Sequence, residues 1–255
     1  MKFFSLFLVL SISINTYTQS CITKFNNQIK SIVKTSDGSV VFNSDYFKIT
    51  KVDSNFDTIW HNDNLNFTSN SLNTLYPTFN NGFIGAGGNL TPYLYKFDSV
   101  GDTLWKKECN LIYPGLNYVN LSDIIQTSDS GFFFTASYGL MGLATLVGKT
   151  DVLGNTIWVK TNILHSSSAT QFRNRVKTIT ETNNGGLIVS GTINESSGNN
   201  PPEDYSYIFK YSSIGDSLWA KTYDDLSFSS LKIDANQNFI IASQAGINSG
   251  SSSSK

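Results

Sequence analysis

Long-chain acid, sulfur and charge are all scarce in this sequence. Among 255 residues the only glutamates are Glu108, Glu181, Glu195 and Glu203. Charged residues make up 15 %, below the usual quarter, which excludes long solvated helices and coiled coils built on Glu, Lys and Arg. The 18 basic and 19 acidic side chains leave a net charge of −1, so a nucleic-acid partner held by bulk charge is excluded as well. Two cysteines, Cys21 and Cys109, and two histidines, His61 and His165, show no metal-site spacing, and no metal is expected. If exported, the cysteines could form one disulfide, a poor framework for a chain of this length. What fills the gap is 13 % aromatics, with Asn, Ser, Thr and Gly at the polar positions. That is the make-up of an all-β, turn-rich protein.

Apolar runs are short with one exception, Phe3 to Ile14, which follows Lys2 and precedes Thr16-Tyr-Thr-Gln-Ser20. A basic start, an apolar stretch and small residues before a cleavage point make residues 1–20 a secretory signal peptide. The run is too short to cross a bilayer comfortably, so the mature chain, from Cys21 on, is expected to have no membrane span. Cys21 also opens the alternative of a lipoprotein acylated at its first mature residue, although no Leu stands three residues before it.

Self-similarity dominates the rest. Lys51-Val-Asp53-Ser-Asn-Phe-Asp-Thr-Ile-Trp60, Lys96-Phe-Asp98-Ser-Val-Gly101-Asp-Thr-Leu-Trp105, Lys149-Thr-Asp151-Val-Leu-Gly154-Asn-Thr-Ile-Trp158 and Lys210-Tyr-Ser-Ser-Ile-Gly215-Asp-Ser-Leu-Trp219 align without gaps. Every tryptophan of the chain falls at the same place, at spacings of 45, 53 and 61 residues. A second motif alternates with the first: Thr35-Ser-Asp37-Gly-Ser, Thr78-Phe-Asn-Asn-Gly82, Thr127-Ser-Asp129-Ser-Gly131, Thr182-Asn-Asn-Gly-Gly186 and, more weakly, Asp234-Ala-Asn-Gln-Asn238. Asp, Asn and Gly between β-branched runs are hairpin chemistry, because they tolerate or supply positive φ. One repeat therefore reads strand, turn, strand, variable loop, strand, turn, strand ending near Trp. Four antiparallel strands per repeat is the blade of a β-propeller, with repeats at 22–60, 61–105, 106–158, 159–219 and a partial fifth at 220–255. Stacked sandwiches would not keep all tryptophans in one phase, and a solenoid wants parallel strands and shorter repeats.

The recurring residues read as structure: the tryptophans pack between neighbouring sheets, and the lysines stand as solvated amines on outward strand faces. Asp53, Asn55 and Asp57 are spaced like a calcium loop, but the other copies place Val100, Leu153 and Ile214 at the middle donor position, so turn geometry is the common explanation. No nucleophile motif accompanies His61 or His165, Gly85-Ala-Gly-Gly88 opens no helix, and no cofactor is expected.

The alternation of the Thr-x-Asp-Gly-Gly hairpin with Lys-x-Asp-x-x-Gly-Asp-x-x-Trp resembles repeats of large secreted Bacteroidetes proteins. That resemblance implies a β-propeller, often ahead of a type IX secretion sorting domain, and covers residues 22–243. The Asp-x-x-Gly-x-x-x-Trp half is also similar to the tryptophan-docking repeats of quinoprotein-like propellers, whose quinone-holding residues are not visible here. Asp57-Thr-Ile, Asp102-Thr-Leu and Asp216-Ser-Leu resemble the acceptor of Bacteroidetes O-glycosylation. The second half of a fifth repeat and a sorting domain do not follow Asp234, which reads as a fragment of a longer protein; the alternative is that Ile22-Thr-Lys-Phe25 donates an outer strand to the last blade. The function expected is an exported binding or interaction module for a protein, peptide or glycan. Two other classes stay open: a polysaccharide- or peptide-directed hydrolase or lyase using channel carboxylates, and a structural spacer of a larger surface protein.

Overall fold

A computed structural model describes residues 29–44, 48–63, 72–88, 91–109, 111, 119–138, 144–163, 171–196, 203–224 and 226–245. The signal peptide, Cys21, His165 and the loops 139–143 and 197–202 lie outside them.

Among the described residues eighteen strands form five antiparallel sheets in chain order. The first holds β1 (Ile29–Lys34), β2 (Val40–Ser44), β3 (Lys48–Val52) and β4 (Thr58–Asn62). The second holds β5 (Leu72–Pro77), β6 (Phe83–Gly87), β7 (Tyr93–Phe97) and β8 (Thr103–Glu108). The third runs through β9 (Val119–Gln126), β10 (Phe132–Tyr138), β11 (Ala144–Thr150) and β12 (Thr156–Ile163). The fourth runs through β13 (Gln171–Glu181), β14 (Leu187–Ser196), β15 (Glu203–Tyr211) and β16 (Ser217–Asp224). The fifth pairs β17 (Leu226–Ile233) with β18 (Phe239–Ala245). Each sheet is a meander, and the first strands pack side by side, β1 on β5, β5 on β9, β9 on β13 and β13 on β17. These are the inner strands of successive blades, and the fold is an all-β β-propeller.

Both hairpins of each blade are three-residue loops closed by a positive-φ residue. In the first hairpin Gly38 N–H donates to Thr35 O at 3.1 Å and Thr35 N–H to Ser39 O at 2.9 Å, and the same pair of bonds recurs in the later copies. The left-handed seat is taken by Gly38, Asn81, Ser130, Gly185 and Gln237. Gly131 and Gly186 stand one residue later and answer a different need: a Cβ there would run into the carbonyls of Thr150 and Tyr211 on the third strand. In the second hairpin the left-handed seat belongs to Gly101, Gly154 and Gly215, and in the first sheet to Phe56, at φ 67°.

The core is not one mass but four interfaces between consecutive sheets. Val41, Ile49 and Phe83 lie in the first, Ile84, Phe132 and Phe134 in the second, Phe133, Val189 and Tyr207 in the third, and Ile188, Phe228 and Leu231 in the fourth. The fully apolar runs Phe132-Phe133-Phe134 and Leu187-Ile188-Val189 belong to second strands, whose two faces are both covered by sheets.

Candidate functional site: repeat positions, an inner-strand carboxylate and a cationic cleft

The recurring tryptophans sit half-buried on the fourth strands, and Trp60, Trp105 and Trp158 dock on the glycine of the next blade. A Cβ on Gly101 would meet the Trp60 ring at 2.6 Å, one on Gly154 the Trp105 ring at 2.8 Å, and one on Gly215 the Trp158 ring at 2.8 Å. Only hydrogen fits beneath the indole, and the same residue also takes a positive φ. Trp60 and Trp105 also meet an aromatic of the next second strand, Phe83 at 6.5 Å and Phe132 at 6.1 Å between centroids, whereas Trp158 meets Phe133 of its own sheet's second strand at 5.8 Å. Trp219 keeps the aromatic contact, with Phe239 at 6.0 Å.

Asp53, Asp98 and Asp151 tie the second hairpins. Oδ1 of Asp53 accepts from Asn55 N at 2.8 Å and Asp57 N at 2.9 Å; Asp98 does the same with Val100 and Asp102, and Asp151 with Leu153 and Asn155. Their oxygens are occupied with turn amides, and among the described residues no group of three His, Cys, Asp or Glu could hold a metal ion.

The lysine series departs from the outward, solvated placement expected of it. Lys96 and Lys149 are buried and Lys51 nearly so, because each side chain folds across the sheet to the first hairpin. Lys51 Nζ reaches Asp37 at 2.7 Å and Lys149 Nζ reaches Asp129 at 2.5 Å. The Lys51 bond, with those from Thr35 and Ser39, holds the Asp37 carboxyl far below its usual range. Burial works against ionisation of Asp129, and its bonds to Lys149, Thr127 and Gly131 overcome it and lower its pKa. In the second sheet Asn80 stands where the acid was: Lys96 Nζ donates to Thr78 Oγ1 at 2.7 Å, Asn80 Oδ1 at 3.2 Å and Phe97 O at 3.2 Å. Burial pulls this amine down to about 8. His61, placed by its sequence context in a loop, is on β4 with Asp63 at 3.7 Å. Cys109 is buried, and burial pushes its thiol up to about 12. Thr58, Thr103 and Ser217 of the glycosylation-like triplets are exposed.

Each inner strand carries a β-bulge followed by a short polar residue, Ser31, Thr74, Asp123, Thr178 and Ser230, and the first four of these reach the next blade. Ser31 Oγ accepts Leu75 N at 3.0 Å, and Thr178 Oγ1 accepts Leu231 N at 3.4 Å. Four of the five are hydroxyls and one is a carboxyl. Asp123 accepts from Ile124 N at 2.9 Å and Thr74 Oγ1 at 3.5 Å, with Ile179 N as a further donor. Desolvation pushes its pKa up to about 6 against those bonds. No reading of the repeats alone singled Asp123 out. Its signal is positional, since it stands four residues before the hairpin Thr, where the other copies hold Ser or Thr.

A concave site of about 290 Å³ opens between the fourth and fifth sheets. Its walls carry Arg175 and Lys177 from β13, Thr192 and Asn194 from β14, and Leu226 and Ser227 from β17. It exists because β13 has 11 residues and β14 has 10, against 6 and 5 in the first sheet, so the hairpin overhangs the start of β17. Lys177 is the extra residue of the β13 bulge, between Val176 and Thr178. Of the loops 138–143 and 194–203 only the edges are described, and Asn194 is one of them.

No family model matches the sequence, and no curated protein matches it. Solved structures do. The chain is similar to the Dos1 propeller, with a TM-score of 0.54 at 10 % identity over 83 % of this chain and 51 % of that one. It is also similar to an alpha-L-arabinanase of Penicillium chrysogenum complexed with arabinobiose, with a TM-score of 0.52 at 12 % identity over 82 % and 67 %. A third likeness is to BBS1N in complex with ARL6DN, with a TM-score of 0.50 at 8 % identity over 91 % and 71 %. At these identities the likeness is one of fold, the β-propeller. The chain spans about half the length of the Dos1 propeller.

Proposed function

We propose that this protein is an exported β-propeller that binds a ligand or partner at or outside the cell surface, through the cleft between its fourth and fifth sheets. The observation that carries this reading is the cleft itself: a concave site with convergent polar side chains, the usual form of a binding site, at the junction where the blade lengths mismatch. The neighbours of similar fold fit it in kind, one being complexed with a saccharide and one with a protein. Export rests on the layout of residues 1–20, and the secreted Bacteroidetes, type IX-associated lineage rests on the repeat motifs. Acylation at Cys21 is the variant that would tether the module. Among the described residues no helix is long and apolar enough to cross a membrane.

The test is binding of the purified chain to glycan and peptide arrays, with Thr192→Trp as the variant that fills the cleft. Capture of a defined ligand that the variant loses, at unchanged melting temperature, supports the reading; capture unaffected by the variant moves the site elsewhere. One observation favours a hydrolytic reading instead: the raised pKa of Asp123 on an inner strand. That reading requires polysaccharide or peptide turnover that Asp123→Asn abolishes without altering the melting temperature.

A further inference from the structure

We propose that the cleft between the fourth and fifth sheets takes an acidic oligosaccharide, with a sugar carboxylate seated on Arg175 and Lys177. This deepens the binding-module reading and rests on it. The two cations share one strand and line one wall, and among the described residues no Asp or Glu lines the site with them. Both are exposed, in a chain whose net charge is −1. An anion entering the cleft meets two positive charges.

The pair of cations, Arg175 with Lys177, is particular to this blade. All five inner strands carry the same bulge, but its extra residue is Lys30, Asn73, Ser122, Lys177 or Ser229, so the bulge itself does not call for a cation. Beside the bulge, the overhanging β13–β14 hairpin sets Arg175 opposite Thr192 in register. A guanidinium presents a planar fork that fits a carboxylate in two parallel bonds, and the nearby ammonium adds a second charge.

The neutral side chains decide between acidic ligands. Thr192, Asn194 and Ser227 bring hydroxyl and amide groups, which both donate and accept, to a site that also holds Leu226. A sugar hydroxyl likewise donates and accepts, and a pyranose ring has an apolar face for the leucine. An acidic peptide also meets these groups through its backbone N–H and C=O, but it brings no ring face to Leu226, and that face is what favours the sugar. The volume of about 290 Å³ fits a short stretch of chain, one or two rings.

The experiment is isothermal titration of the full chain with trigalacturonate, with the neutral trisaccharide of galactose, and with a tri-aspartate peptide. The expected result is trigalacturonate binding at least tenfold tighter than either comparison, weakened about tenfold by Arg175→Ala and by Lys177→Ala at unchanged melting temperature, and weakened by added salt. No binding of trigalacturonate, equal binding of the neutral sugar, or tighter binding of the peptide overturns the proposal. The two failures separate: a neutral or peptide ligand lost in Thr192→Trp leaves the binding module standing and removes only the acidic sugar.

Discussion

The third and fourth sheet-to-sheet interfaces are built from the same parts and finish differently. Between the third and fourth sheets, Trp158 lies over Gly215 and donates through Nε1 to Ser213 O at 3.3 Å. Beneath it Tyr207, wholly buried, bonds Asn174 Oδ1 at 2.9 Å and lies 3.1 Å from Thr145 Oγ1. Between the fourth and fifth sheets, Trp219 has Phe239 and no glycine turn among the described residues, and Phe239 stays 38 % exposed. The contrast separates two tasks: the third interface packs a glycine-docked indole over a hydrogen-bonded tyrosine, whereas the fourth leaves a cleft with charge on its wall.

Substitutions at the third interface should produce the largest effects. Gly215→Val adds a Cβ 2.8 Å from the Trp158 ring at a φ of 87° and is expected to cost about 3 kcal/mol or more in urea unfolding. Gly185→Ala is the control, at φ 72° with its nearest atom 3.7 Å away, and should cost about 1 kcal/mol. If the two cost the same, the glycines serve φ alone and the docking account fails. Next, Trp158→Ala should lose about 3 kcal/mol and Trp219→Ala about half of that, read in the same denaturant series. Equal losses would mean that the fourth interface is as tight as the third.

Asp123 gives a smaller and pH-dependent test. Its carboxyl titrates near 6 in the fold and near 3.8 when free, so the fold favours the protonated form. The contribution is therefore full below about pH 4, declines as pH rises through about 6, and stays lost above. Asp123→Thr, which restores the residue type of Thr74 and Thr178, should raise stability at pH 8 by about 1–2 kcal/mol and flatten the profile between pH 4 and 6. A variant with an unchanged profile would show that Asp123 is solvated. The smallest effect compares two lysines. Lys149→Met strips Asp129 of its partner and should cost about 1 kcal/mol, lost at high salt, whereas Lys96→Met removes an amine facing neutral acceptors and should cost less. The reverse order would mean that Lys96 is held more strongly than its neutral partners allow.

What was legible in the sequence follows how local the chemistry is. The hairpins were readable because Asp, Asn and Gly act on their own turn, and the tryptophan register because one indole marks each fourth strand. The lysines were misread because their partners, Asp37 and Asp129, belong to the other motif, and only the antiparallel register of second and third strands brings the two together. Asp123 was within reach of an alignment carried four residues upstream of each hairpin Thr. The cleft was not, since it arises from the lengths of β13 and β17 relative to each other, and Arg175 and Lys177 belong to no repeated motif.

Phe56 gives the array a direction. It occupies the seat that Gly101, Gly154 and Gly215 keep open for an indole, at nearly the same backbone angle and with its ring half-buried. A sheet bearing tryptophan can follow the first sheet but cannot dock ahead of it without driving the indole into that phenyl ring. Extra repeats are thus accommodated by insertion downstream of the first blade, whereas grafting one of these repeats upstream of it would also require Phe56→Gly. In engineering terms the stack has a donor end and a blocked end, and its blades are not interchangeable parts.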